Sequence, residues 1–176
     1  VIELVTPRLH LRPVRAEDLD VAVASVADER VMQWLGGVQT ADQARAWLDR
    51  QIAHWEAHGF GRFFVTWEGA FVGFAGLSRL EFDRGLVPGI EVAWRLVHEH
   101  WGKGFATEAA RAVIGDGFGR LGLSEIVAVT AVRNARSRRV MERLGMVYAP
   151  DDTFDHPLVP EGDPSRTHVV YRLAPP

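Results

Sequence analysis

An α/β domain built on a mixed sheet is the fold this sequence predicts, on three observations. Strand-like and helical segments follow the order β-α-α-β-β-β-α-β-α-β-β, alternating mainly in the second half. Two strands in that half run directly into helices, one through a glycine-rich turn and one through an asparagine. Hydrophobic residues make up 47% of the 176 positions. A chain of this length buries roughly 70% of its extended surface, enough for one core. The whole of 1–176 is therefore expected to form one domain. A doubly wound dinucleotide fold would alternate from the start.

Each element has a local reason. Arg8-Leu9-His10-Leu11-Arg12-Pro13 alternates with period two, as a half-buried strand does. Asp18 opens a helix to about residue 27. Thr40-Ala41-Asp42 heads a second helix, in which Ala44, Trp47, Leu48, Gln51 and Trp55 recur at helical spacing before a stop at Gly59. Segments 62–67 and 70–80 read as strands joined by a tight Glu68-Gly69 turn. Segment 83–88 is expected as a loop and 90–97 as a strand. A helix over 105–121 carries Ala106, Ala109, Ala110, Val113, Ile114 and Phe118 along one side. A strand at 125–131 precedes a helix over 135–144, stopped by Gly145. Short strands at 146–149 and 167–173 close the sheet, with a Pro-containing acidic loop, 150–166, between them.

Composition removes several function classes. There is no cysteine, which excludes disulfides, a thiolate nucleophile, Cys-ligated zinc and iron–sulfur clusters. No apolar run approaches the roughly 20 residues that span a bilayer. Val1-Ile2-Glu3-Leu4 has neither a basic n-region nor an apolar h-region, so a cytoplasmic protein without membrane partners is expected. With 20 Lys+Arg against 23 Asp+Glu the net charge is −3, which argues against nucleic-acid binding. The charge is uneven: Arg133, Arg136, Arg138, Arg139 and Arg143 face only Glu142 in their segment. Asp151, Asp152, Asp155, Glu161 and Asp163 have no nearby Lys or Arg in sequence. Lys103 is the only lysine.

Chemistry concentrates at the two strand-to-helix junctions. In His100-Trp101-Gly102-Lys103-Gly104-Phe105-Ala106-Thr107-Glu108 a glycine turn leads into a helix whose first amides are unpaired and partly positive. Such a turn either binds a phosphate or simply makes a tight connection. It lacks the spacer and Lys-Ser/Thr end of a Walker A motif. Gly115-Asp116-Gly117-Phe118-Gly119 lies inside a helical pattern with no strand before it and is set aside. Asn134 is either a helix N-cap or an amide offered to a ligand at a strand's carboxyl end. His98 and His100 do not have metal-ligand spacing, and no metal site is expected.

Together these motifs resemble the GNAT superfamily of N-acetyltransferases, and within it the ribosomal-protein N-terminal acetyltransferases (the RimJ/RimL-like group). The resemblance runs over nearly the whole chain. It is carried by the opening Thr6-Pro7-Arg8-Leu9-His10-Leu11-Arg12-Pro13 and by Ile90-Glu91-Val92-Ala93-Trp94-Arg95-Leu96. The Trp101–Ala109 turn, the Asn134–Met146 segment and His168-Val169-Val170-Tyr171-Arg172-Leu173 complete it. It implies a GNAT fold: a mixed, mostly antiparallel sheet flanked by helices and splayed at the cofactor-binding strands. It implies acetyl-CoA as co-substrate, with pantetheine along the strand at Leu96 and pyrophosphate on Gly102, Lys103, Gly104, Phe105, Ala106 and Thr107. Asn134 would touch the cofactor near the pantetheine, and the Arg cluster the 3′-phosphate. A homodimer is expected on the resemblance alone.

Two positions depart from the broad family: Trp101, usual only in the ribosomal group, and Met141, where a tyrosine often serves as general acid. Met141 opens the alternative of a non-catalytic acyl-CoA-binding sensor. Acetyl transfer to a primary amine needs a neutral amine, a donor to the oxyanion and modest help for the thiolate. Without cysteine, direct transfer in a ternary complex remains. Glu91 is the candidate base, acting through water, or else a carboxylate paired with an Arg. His156, beside Asp155, is its rival. Ser137 is the candidate acid, or else an ordinary early-helix serine. The acceptor is a protein N-terminus or a small-molecule amine. The acidic loop either attracts a cationic acceptor, such as a basic peptide, polyamine or amino sugar, or is simply solvated, and Trp34 is a candidate for the acceptor pocket; Trp47 and Trp55 fit core packing better.

Overall fold

The computed structural model describes residues 2–80, 89–157 and 159–176. The expected 83–88 loop lies outside them. One eight-stranded sheet carries the fold: β1 (Leu4–Val5), β2 (Leu9–Pro13), β3 (Arg62–Trp67), β4 (Ala70–Arg79), β5 (Ile90–Leu96), β6 (Ile126–Ala131), β7 (Val147–Asp155) and β8 (Thr167–Leu173). Its order is β1-β2-β3-β4-β5-β6-β8-β7. Every neighbouring pair is antiparallel except β5 and β6. This is the mixed, mostly antiparallel sheet that the sequence predicts.

Helices cover both faces. On one, β4, β5, β6 and β8 bury Val72, Leu77, Val92, Leu96, Ile126 and Val169 against Phe105, Ala109, Ala110 and Val113 of α4 (Phe105–Gly119). On the other, Val14, Phe64 and Phe74 pack on Ala22 of α1 (Leu19–Ala27) and Leu48 of α3 (Ala41–His58). Trp47 meets Phe74 edge-on at 4.9 Å, and the Trp55 indole donates to the Arg62 carbonyl at 2.7 Å, so both tryptophans serve the core. Thr40 and Gln43 form the capping box of α3, and Gly59 ends it at φ 68°. Asp18 opens α1 differently from a cap: its carboxylate turns back to Arg12 at 2.6 Å.

The structure adds three features. β1 is only two residues long. The one-turn α2 (Glu29–Met32) is capped by Asp28, whose Oδ1 accepts from the Arg30 amide at 2.9 Å. β7 runs to Asp155, so the expected loop from 150 shrinks to 156–166. No helix of the described residues is long and apolar enough to cross a membrane.

The parallel pair matters most. β5 and β6 are joined at a single register pair, Glu91 with Val127, near the start of both strands. Beyond it no ladder pair joins them, and the strands diverge toward Leu96 and Ala131. α4 and α5 (Ala135–Arg143) begin just past those two ends.

Candidate active site

The gap between β5 and β6 opens into a cavity of about 380 Å³. Its walls include Trp94 to Leu96 of β5, the 100–107 turn and helix start, Asn134, and α5 from Arg136 to Arg143. α2 and the turn after it close the far side with Arg30, Val31, Trp34 and Leu35. Eight of the sequence-chosen site residues line this one cavity: Leu96, Gly102, Gly104, Phe105, Ala106, Thr107, Asn134 and Ser137.

The glycine turn is fastened from outside. Arg8 donates through Nε to Glu108 at 2.7 Å and through Nη1 to the Lys103 carbonyl at 2.9 Å, and Thr6 Oγ1 donates to Glu108 at 2.6 Å. The opening Thr6-Pro7-Arg8 segment is thus a clamp on the turn. Burial alone would raise the Glu108 pKa; Thr6 and Arg8 hold it below the usual range instead. Gly104 sits at φ 81°, and a Cβ there would meet only Arg8 Nη2, at 3.5 Å. The turn therefore leaves open space in front of the first amides of α4, which have no intrahelical acceptor. Phe105 is 2% exposed, so it offers the cavity its backbone while its ring lies in the core. Lys103 does not line the cavity; its Nζ lies 5.0 Å over the Trp67 ring and 3.4 Å from His100 Nδ1.

Asn134 is the N-cap of α5. Its Oδ1 accepts from the Ser137 amide at 3.2 Å, and its Nδ2 donates to Thr130 Oγ1 at 3.0 Å and Ser137 Oγ at 3.1 Å. The cap reading holds, and the same contacts hold the Ser137 hydroxyl as an acceptor, which leaves its own proton to donate elsewhere. Asn134→Ala is expected to cost about 1 kcal/mol, read as a fall of about 2–4 °C in Tm. An unchanged Tm would mean that the cap carries no stability.

Around this core the sequence expectations divide. The Leu96 carbonyl already accepts from the Trp101 indole at 2.9 Å, and the Arg136 guanidinium stacks over the Trp101 ring at 4.6 Å. Arg136, Arg139 and Arg143 line the cavity, while Arg138 turns away to the Tyr171 hydroxyl at 3.2 Å. Met141 is 1% exposed in the core. Neither tyrosine lines the cavity.

Glu91 stands apart from the cavity wall. It is half-buried at the other end of β5, with Oε2 3.6 Å from Arg62 Nη2. Burial raises its pKa, and Arg62 opposes the rise. His156 does not behave as Asp155 beside it would suggest. Asp155 binds Arg166 and Thr167 at 3.3 and 3.0 Å, and burial followed by the nearby His168 lowers the His156 pKa. Asp152 likewise pairs with Arg172 at 2.7 Å, so much of the acidic stretch is already neutralised. His100 also lines the cavity. Among the described residues no cluster of three metal-ligating side chains occurs.

Sequence reasoning missed Arg30 and Arg95 as cavity residues. For Arg95 a signal existed: Glu91 and Arg95 fall on the same face of an inner strand, where charge is costly.

Comparison with known proteins agrees with this geometry. The profile of the acetyltransferase (GNAT) domain matches residues 8–147. The uncharacterized protein YkkB of Bacillus subtilis is 30% identical over 152 residues, 84% of this chain and 86% of that protein. The FsC-acetyl coenzyme A-N(2)-transacetylase of Aspergillus fumigatus is 30% identical over 158 residues, covering 85% of this chain and 66% of its own length. The structure of a GNAT-family acetyltransferase from Bordetella pertussis superposes with a TM-score of 0.82 at 27% identity, over 99% of this chain and 100% of that one. The open β5 edge and the glycine cradle fit the acetyl-CoA that this family uses, and the chain belongs to the GNAT acetyltransferase family.

Proposed function

We propose that the protein acetylates a primary amine by direct transfer within a ternary complex, as a RimJ/RimL-like enzyme of the cytoplasm, the acceptor being a small-molecule amine or a protein N-terminus. The observation that carries this is the convergence of an unpaired strand edge and two helix N-termini on one cavity. Acetyl-CoA, when bound, supplies an activated acetyl thioester. The chain's own groups do the rest. Amides from Gly102 to Thr107 bind the pyrophosphate, assisted by the field of α4. Arg136, Arg139 and Arg143 supply positive charge at the cavity rim for a further phosphate. N–H groups of the open β5 edge near Leu96 polarise the reacting carbonyl.

Ser137 Oγ–H passes a proton to the departing sulfur and takes one back from water, its lone pair held by Asn134. A thiol of pKa about 8.5 needs only this modest help. Glu91 takes the amine proton through water, and the rise that burial gives its pKa makes its carboxylate a stronger base. An α-amino group, with pKa about 7.8, needs that base less than a lysine-type amine does. Met141, which prompted the sensor alternative, is a core residue and carries no information about catalysis. A homodimer fits the resemblance.

Ser137→Ala tests the assignment. Turnover, followed as CoA thiol release with an amine panel, is expected to fall about tenfold to a hundredfold while KM for acetyl-CoA stays within a factor of about two. Unchanged turnover removes Ser137 from the acid role.

A further inference from the structure

β5 sets Glu91 and Arg95 on the sheet face that packs on α1 and α3, four residues apart and therefore on one side of the strand. With Arg62 of β3 they place two cations and one anion in the interior. Glu91 belongs to Arg62, at 3.6 Å. Arg62 also donates to the Gly76 and Ala93 carbonyls at 2.7 and 3.2 Å and to Ser78 Oγ at 3.0 Å, so its guanidinium is satisfied.

Arg95 has no such set. Its Cζ lies 4.4 Å from the Trp47 ring centroid and 5.3 Å from that of Phe74, which fixes the guanidinium plane. Its Nε and Nη2 are buried without a hydrogen-bond partner. Burial, then the nearby Arg62, push its pKa down to about 10. Among the described residues no carboxylate neutralises it. The residue lines the cavity together with Trp34, Leu35 and Trp94.

The two unpartnered nitrogens are not arbitrary. Nε–H and the adjoining Nη2–H point in parallel from one edge of the guanidinium, the edge that matches both oxygens of a carboxylate. We propose that Arg95 binds a carboxylate of the acceptor, so that the amine acetylated here belongs to an amino acid, amine and carboxylate in one molecule, with an apolar side chain against Trp34, Leu35 and Trp94. This rests on the N-acetyltransferase reading above and names its substrate class. A buried cation without an anion is costly, and a substrate carboxylate removes that cost on binding. The neutralised aspartates of β7 agree with it, since little free negative charge is left there to select a purely cationic acceptor.

The test uses thermal unfolding of the wild type and Arg95→Met, which keeps an apolar chain on Trp47 and removes the charge. The probes are a pool of N-acetylated Phe, Trp, Leu, Met and Ala, and the same pool as carboxamides, each with and without CoA. The carboxylate pool is expected to stabilise the wild type more than the carboxamide pool. Arg95→Met should bind the carboxylates about tenfold or more weakly, without preference between pools. The ligand-free variant should unfold within about 4 °C of the wild type, because only the cation–π contact is lost and no hydrogen bond or ion pair is. Equal response to the two pools in the wild type, or no response to either, overturns the proposal. So does a ligand-free Arg95→Met that melts more than about 4 °C lower, which would show Arg95 already paired within the protein. Failure of CoA alone to stabilise the wild type counts against the acetyltransferase site, and the pools measured without CoA still decide on Arg95.

Discussion

Replacing Gly104 with valine is expected to abolish stabilisation by acetyl-CoA while leaving a folded protein. At φ 81° a β-branched residue is strained by about 1–3 kcal/mol. A domain typically holds 5–15 kcal/mol in reserve, so the variant folds, with Tm lower by about 2–12 °C. In the ligand-free protein the added Cβ meets only Arg8 Nη2, at 3.5 Å, and the rest of the side chain stands in open space. On the proposed function, that space is what would give a pyrophosphate access to the amides of α4. Acetyl-CoA at 100 times its Kd should add about 2.7 kcal/mol to the wild type, about 5–11 °C in Tm, and nothing to Gly104→Val. A shift retained in the variant would place the phosphates elsewhere.

Glu91→Gln is expected to act on pH dependence more than on stability. Removing the anion leaves Arg62 charged in the interior without its only ion-pair partner among the described residues. Arg62 keeps its hydrogen bonds to Gly76, Ala93 and Ser78, and burial already disfavours the Glu91 charge, so the loss is about 0–1 kcal/mol, at most about 4 °C in Tm. The sign of the pH effect follows from burial. Because the folded pKa of Glu91 is raised, the carboxylate is available as a base only above that raised value, and wild-type turnover falls as pH drops through it. At high pH the amine loses its own proton and the base matters less. The ratio of wild-type to variant turnover, corrected for the folded fraction, should therefore narrow between about pH 6 and about pH 9. A constant ratio would make Glu91 a purely structural partner of Arg62.

What the sequence discloses is governed by how local its cause is. The glycine turn, the Asn134 cap, the helix start at Thr40 and the Gly59 stop are set by backbone needs within four residues, and all were legible. α2 was not, because one capped turn has no periodicity to read. β7 was cut short because Pro150, Asp151 and Asp152 look like a loop; an edge strand tolerates proline, and Asp152 and Asp155 are neutralised by Arg172 and Arg166 across the strands. The candidate site divides in the same way. Residues tied to the two junctions converge on the cavity, whereas Glu91, chosen from its strand alone, pairs with an arginine 29 positions earlier in the chain. Arg95 needed the third dimension to show that its partner is missing.

The single register pair between β5 and β6 also bears on how the molecule holds together. Without ligand, a five-stranded antiparallel meander and a three-stranded unit share one bridge, and the remaining coupling runs through helix packing. A ligand laid along the free edge contributes the hydrogen bonds that a ninth strand would have made. On the proposed function a cofactor along that edge would tie the two units together, and ligand-bound protein is expected to unfold more cooperatively than ligand-free protein.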